Sequence, residues 1–408
     1  MVGSAPVPEP EQSSPDPASI VSSTPRNDEP PVELTDTGLS AGIEAEDLGQ
    51  SHRAPFDPEL IDVYPRATTI DLTLQRLKRG LIDLQPDFQR RSGIWNETAQ
   101  SRLIESVLLR IALPTIYVAE EADDSWTVVD GVQRLTSIVR FVKPEAAGLR
   151  PLVLENLEYL DYNGRTFEDL PGRMQTRILE TELSLLLIRK GTPEEARFNI
   201  FTRINTGGLP LSQQELRHAL IPGQARDLLA RLAGSHFFLT ATAGSVSPSR
   251  MAERELCLRF LAFWMTPPER YVTQDFDGFL REAMRQINTL TLSELLNLER
   301  RFYHAMLAST RVFGEHAFRK QFAGTARRYP INKALFEVQS VALAQCTSAE
   351  IEILCQRASL VEERFKKLMD NPAFFDAISS GTSDADKVNY RFQSMKDLFR
   401  EVLESTDA

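Results

Sequence analysis

The chain has 408 residues, 42% of them hydrophobic and 25% charged, and a formal charge of −11. Its length exceeds the usual single-domain range, so two globular parts and a tail are expected. No apolar run approaches the roughly 18 residues of a membrane span, and Met1 to Pro10 lacks the basic start and apolar stretch of a secretory signal; a cytoplasmic protein without a membrane partner is expected.

Residues 1–53 hold ten acidic residues against two arginines, a local charge of −8, so only −3 of the total −11 falls on the remainder. A nearly neutral body neither supports nor excludes a nucleic-acid partner. The same segment holds eight of the 24 prolines and no periodic apolar pattern, and it reads as a disordered acidic tail. From Asp57 the pattern changes. Ile70, Leu72, Leu74 and Leu77 before Gly80 predict a short helix, and Leu81 to Leu84 a strand. Asn96 is placed to cap a helix with Leu103, Ile104, Val107, Leu108 and Ile111 on one stripe, which Pro114 stops. Thr115 to Ala119 and Trp126 to Val129, parted by an acidic turn, predict a hairpin. Asp130-Gly131 then leads directly into a helix with Leu135, Ile138, Val139 and Val142 on its inner face.

Leu183 to Ile188 predicts a further strand. Thr192 to Glu195 has capping-box spacing, with Pro193 at the first helical position, for a helix carrying Phe198, Phe201 and Ile204. Thr206-Gly207-Gly208 breaks that helix, and Ser212 to Glu215 repeats the capping-box spacing for a helix through Leu216 and Leu220. From Met251 onward, amphipathic stretches such as Cys257 to Leu261 and Ile351 to Leu368 predict an all-helical part. The expected organisation is therefore a tail over 1–53, a mixed domain over 54–222 and a helical domain over 223–408. The three cysteines, Cys257, Cys346 and Cys355, have no paired spacing and read as buried thiols of a reducing compartment.

Several chemistries are discounted by inspection. There is no Gly-Lys-Ser or Gly-Lys-Thr for a P-loop, the five histidines have neither zinc-finger nor HExxH spacing, and no acidic cluster joined to a lysine suggests a nuclease core. What remains is Val128-Val129-Asp130-Gly131-Val132-Gln133-Arg134, a glycine turn between a buried strand and a helix start. Amides at a helix N-terminus favour an anion, Arg134 would add a bidentate phosphate contact, and Asp130 would hold a cation or fix an arginine. The same residues equally suit a plain β-to-α turn, with Asp130 as the helix cap and Arg134 a solvated charge. Trp95 and Trp126 read as core or staple residues. Arg319, Lys320, Arg327 and Arg328 form a basic group that suits either a DNA backbone or a solvated helix face.

The turn resembles the DGQQR signature of the GmrSD restriction endonuclease N-terminal domain family, also known as domain-of-unknown-function family 262. Pro86 to Arg91 with Trp95, Arg102 to Pro114, and Phe201 to Leu216 resemble further blocks of that family, so that the likeness covers roughly residues 66 to 222. It implies a ParB/sulfiredoxin-like α+β domain followed here by an all-helical part. It also implies a role in restriction of modified or foreign DNA, and nucleoside triphosphate binding with magnesium, some members hydrolysing the nucleotide while an HNH domain cuts. Carried over, Asp130, Gln133 and Arg134 would be catalytic. Gly131, Arg90, Arg91, Asn205, Gly207 and Gly208 would contact the nucleotide; the arginine pair also suits a solvated edge strand, and the glycines a helix C-cap. Val132 departs from the signature, which puts hydrolysis in question, and no HNH pattern follows in the C-terminal helices, which makes a separate nuclease subunit the expected partner. Two rival readings stay open, a non-enzymatic DNA-binding or adaptor protein and a stand-alone nuclease, as does the oligomeric state.

Overall fold

The structure, a computed structural model, describes residues 30–35, 38, 40–49, 57–84, 95–121, 123–204, 212–272 and 275–405. In chain order the elements begin with β1 (Val32–Leu34), β2 (Ser40–Glu44), β3 (Val63–Thr69), α1 (Ile70–Lys78), β4 (Ile82–Asp83), α2 (Glu97–Leu108), β5 (Ile116–Glu120), β6 (Trp126–Asp130), α3 (Val132–Val142), α4 (Gly172–Glu180) and β7 (Glu182–Ile188). Helices α5 (Glu194–Ile204), α6 (Gln213–Leu220), α7 (Gln224–Ala233), α8 (His236–Ala241), α9 (Ala252–Met265), α10 (Phe276–Thr289), α11 (Leu292–Phe313) and α12 (Lys333–Gln345) follow. The chain ends in α13 (Ser348–Gln356), α14 (Ala358–Asp370), α15 (Pro372–Ala377) and α16 (Ala385–Glu404).

Strands β3, β7, β5, β6 and β4 lie side by side in that order. The β3/β7 and β5/β6 pairs are antiparallel and the β7/β5 and β6/β4 pairs parallel. Pro65 is tolerated because β3 is an edge strand. Alternation along the central strands sends their side chains to two different cores. Ile116, Val118, Val128, Leu183, Leu185 and Leu187 face one side, against α1 to α4. Ala119, Val129 and Ile188 face the other, where the helical body begins.

That second face moves the expected boundary. Phe198, Phe201, Leu216, Ala219 and Leu220 join the core built by α7 to α16, not the core of the sheet's first face. Residues Pro31 to Ala408 consequently form one unit, with no break at 222. The α+β architecture with a helical C-terminal region is as expected, and among the described residues no helix is long and apolar enough to cross a membrane.

The tail expected over 1–53 does not extend through residues 40–49. Strand β2 pairs with β1, and Ile331 N–H donates to Gly42 O at 3.0 Å while Glu44 N–H donates to Ile331 O at 2.8 Å. Gly42 has φ +77°, and a Cβ there would overlap the Ser245 carbonyl oxygen. Ile43 is wholly buried, Glu44 accepts from Lys320 Nζ at 2.5 Å, and both carboxylate oxygens of Glu46 meet Arg259. The acidic composition that suggested disorder is here a set of carboxylates whose cationic partners lie more than 200 residues away.

Smaller differences have local causes. Helix α2 ends at Leu108, Arg110 takes φ +60°, and Ile111 is therefore exposed instead of joining the apolar stripe. The Thr192 hydroxyl bonds both backbone groups of Asp62 rather than capping α5, which starts at Glu194. Phe198 and Phe201 are buried as expected, and the side chain of Ile204 lies outside the described residues. The amphipathic stretch from Ile351 to Leu368 is helical as expected, formed by α13 and α14, which meet at Arg357. Among the basic group, Arg319 is buried and donates to the carbonyls of Tyr329 and Thr242, and Lys320 is buried on Glu44. These two are internal clamps, neither a DNA footprint nor a solvated face; Arg327 and Arg328 are exposed. The three cysteines are free thiols.

Candidate functional site

Strand β6 ends at Asp130, paired with Tyr117 across β5, and the chain reverses at Gly131 with φ +91° and ψ 11° before α3 begins. Only glycine suits this position for two separate reasons. The backbone is left-handed, and a Cβ would sit 2.9 Å from Ile116 Cγ1 and 3.3 Å from Arg134 Nη2. Helix α3 has no side-chain cap, so Asp130 does not act as one. Its carboxylate instead accepts from Arg134 Nη2 at 2.7 Å.

Arg134 is held from three sides. Beside the Asp130 contact, its Nη1 donates to Pro114 O at 2.5 Å and Thr115 O at 3.2 Å. The side chain is 12% exposed, so it is not a solvated surface charge. A guanidinium has five N–H donors; three are used in these bonds, which leaves two among the described residues. The Pro114 that stops α2 thus also supplies a carbonyl that orients the arginine, a role invisible in the sequence because twenty residues separate them.

Gln133 sits half-buried on the first turn of α3, and its Oε1 accepts from Trp95 N–H at 3.4 Å. The Trp95 carbonyl accepts from Gln100 Nε2 at 2.5 Å, Gln100 Oε1 accepts from Arg140 Nη1 at 2.8 Å, and Arg140 pairs with Glu97 at 3.1 Å. These bonds lock the start of α2 to α3. Val132, the departure from the motif, is buried in the first core. The valine therefore takes no solvent-facing polar group from the turn.

The structure brings Asp130, Gly131, Gln133 and Arg134 together. Arg90, Arg91, Asn205, Gly207 and Gly208 lie outside the described residues. Of their described flanks, Trp95, after the Arg90-Arg91 segment, meets Gln133 of the turn, and β4, before that segment, runs parallel to β6 with Asp83 opposite Thr127. Helix α6, opened by the Ser212 and Glu215 capping box, packs on the second face of the sheet through Leu216 and Leu220. No group of three potential metal ligands occurs among the described residues. Asp130, engaged with Arg134, does not by itself fit a dedicated magnesium cage, which needs several oxygen ligands. Trp126 is buried with the Arg76 guanidinium 3.8 Å from its ring centroid, as a core residue and not a base-stacking platform.

A comparison with protein families matches residues 71–222 to the GmrSD restriction endonuclease, N-terminal domain. Residues 71–222 are thus similar to the GmrSD N-terminal domain family. The match starts inside α1 and ends just beyond α6, so it contains the whole Asp130 turn together with both flanking segments. Comparisons with curated proteins and with solved structures give no match. The matched family is the N-terminal domain of a restriction endonuclease.

One carboxylate of the GmrSD-type domain went unnoticed in the sequence. Glu105, only 3% exposed, accepts the backbone N–H groups of Glu158, Tyr159 and Leu160 at 2.7 to 2.9 Å. Burial alone would raise its pKa, but the three amides and Arg102 more than offset it and hold the carboxyl below its ordinary range. It fastens the long connection between α3 and α4 onto α2.

Proposed function

We propose that this protein is a nucleotide-binding component of a DNA restriction or anti-phage defence system, with the phosphates of a nucleoside triphosphate at the N-terminus of α3. The observation that supports this most is the orientation of Arg134: three fixed acceptors aim it, and two N–H groups remain for an anion beside the helix amides. Gly131 lets the backbone approach phosphate. Asp130 acts by holding Arg134, which makes it a positioning residue. Gln133 positions the start of α2, and Arg90, Arg91, Asn205, Gly207 and Gly208 are the proposed further contacts. Magnesium would accompany the triphosphate, whose own oxygens complete its coordination. DNA is the proposed target, and a separate HNH subunit the proposed source of cleavage.

A second reading has a specific observation in its favour. Three of the five Arg134 donors are already committed inside the fold, which also suits a non-enzymatic adaptor that binds without turnover. Phosphate release from the four common nucleoside triphosphates with magnesium, for wild type, Arg134→Lys and Asp130→Asn, separates the readings. Turnover reduced at least tenfold in both variants is expected for hydrolysis at this turn. Nucleotide binding without turnover supports the adaptor, and neither binding nor turnover removes both nucleotide readings.

A further inference from the structure

The chain has three tryptophans, and two of them are used inside the fold. Trp126 is buried beside the Arg76 guanidinium, and the Trp264 ring stacks on Phe260 with the Arg301 guanidinium 5.5 Å from its centroid. Trp95 differs. It is 36% exposed and joins neither core, and its indole has no ring contact and no hydrogen-bond partner among the described residues. Nor is it the staple expected from the sequence. Trp95 precedes the Asn96 cap of α2, so a staple would pack it on the fourth residue of that helix. That residue is Gln100, a polar side chain already engaged with the Trp95 carbonyl and with Arg140.

The backbone of Trp95, by contrast, is fastened on both sides. Its N–H donates to Gln133 Oε1 at 3.4 Å, and its carbonyl accepts from Gln100 Nε2 at 2.5 Å. Gln133 immediately precedes Arg134 on the first turn of α3, so Trp95 is anchored beside the Asp130 turn. An indole left in water forgoes the burial that so large a ring ordinarily gains. In a nucleoside triphosphate one sugar joins the base to the phosphates. A platform for the base must therefore be exposed, held in place, and next to the phosphate turn without belonging to it. Trp95 meets all three conditions. The exposed tyrosines around the sheet do not: Tyr64 lies on edge strand β3, with β7 and β5 between it and β6, and Tyr159 lies on the connection fastened to Glu105.

We propose that Trp95 is the base-stacking residue of the nucleotide site, its indole face against the base of the triphosphate whose phosphates lie at Gly131 and Arg134. The assignment rests on the phosphate reading of that turn. A stack engages the face that every base has, so Trp95 adds affinity without selecting strongly among bases. The test is isothermal titration calorimetry of the full chain, with magnesium, for wild type, Trp95→Leu and Trp95→Phe. The ligands are the four common nucleoside triphosphates, inorganic tripolyphosphate and a single-stranded oligothymidylate. Both variants keep the backbone bonds of residue 95 and remove nothing from either core, and equal urea midpoints check this. Trp95→Leu is expected to bind the nucleotides roughly tenfold more weakly, the size of one base–aromatic stack, with Trp95→Phe between it and wild type. All three proteins should bind tripolyphosphate alike. Nucleotide affinity unchanged in Trp95→Leu overturns the stack and leaves the phosphate reading standing. Tripolyphosphate weakened as much as the nucleotides also overturns it, since Trp95 would then shape the phosphate turn. Oligothymidylate affinity that falls in Trp95→Leu while nucleotide affinity holds overturns it in favour of a DNA base. If wild type binds neither nucleotide nor tripolyphosphate, the reading of the turn fails and the stack with it.

Discussion

Replacing Gly131 by alanine tests the geometry on which the turn depends. Two independent costs follow from the structure. A left-handed backbone costs an L-residue about 1–2 kcal/mol, and forcing a methyl to 2.9 Å from Ile116 Cγ1 is overpacking of the kind that costs about 1–3 kcal/mol. Together Gly131→Ala is expected to lose roughly 2–5 kcal/mol, a large share of the roughly 5–15 kcal/mol of a folded chain. Urea unfolding with the slope fitted separately reads the loss directly. Gly131→Asn divides the two causes, because asparagine tolerates the left-handed region but carries more atoms toward Ile116 and Arg134. It is expected to be at least as damaging as alanine. A loss under about 1 kcal/mol for Gly131→Ala, or an asparagine variant clearly more stable than the alanine one, would refute the close-approach argument.

Glu105→Gln is expected to cost about 1–3 kcal/mol, since three backbone amides lose the charged acceptor that a buried side chain offers them. The depressed folded pKa gives a sign: the stabilisation is complete above the unfolded value of about 4.3 and fades as pH falls through the folded pKa, so the variant should show a flatter acid limb in unfolding measured against pH. Glu337, wholly buried between Arg259 at 2.8 Å and Arg391 at 2.7 Å, should cost about 3–5 kcal/mol when changed to glutamine, because two buried cations lose their shared partner; urea midpoints check it. Arg319→Ala should lower stability by roughly 1–3 kcal/mol while leaving the salt slope of any DNA binding unchanged, as measured by thermal unfolding beside a salt titration of DNA affinity.

Local patterns were legible in the sequence wherever a single element decided the outcome. The β5/β6 hairpin, the start of α3 at the glycine turn and the Ser212 capping box all follow from neighbouring residues and hold in the structure. Long-range pairing was not legible. Nothing near Glu44 or Glu46 in the chain announces Lys320 or Arg259, so a composition rich in proline and acid read as a tail. The basic run at Arg319 and Lys320 misled for the same reason, as its acceptors are backbone carbonyls and a carboxylate brought by tertiary packing. At the turn, the sequence located Asp130 and Arg134, but the carbonyls of Pro114 and Thr115 that fix the guanidinium became visible only once β5 was placed beside β6.

The sheet with a different core on each face has a consequence for how such a module travels between proteins. The segment that matches the family, residues 71–222, closes with helices whose oily sides are turned away from it, toward α7 and beyond. Excised at its own borders, it would present Phe198, Phe201, Leu216 and Leu220 to water. The module therefore needs a complementary helical bed over that face, which α7 to α16 supply in this chain. The family likeness ends at one place in this chain and the folded unit at another.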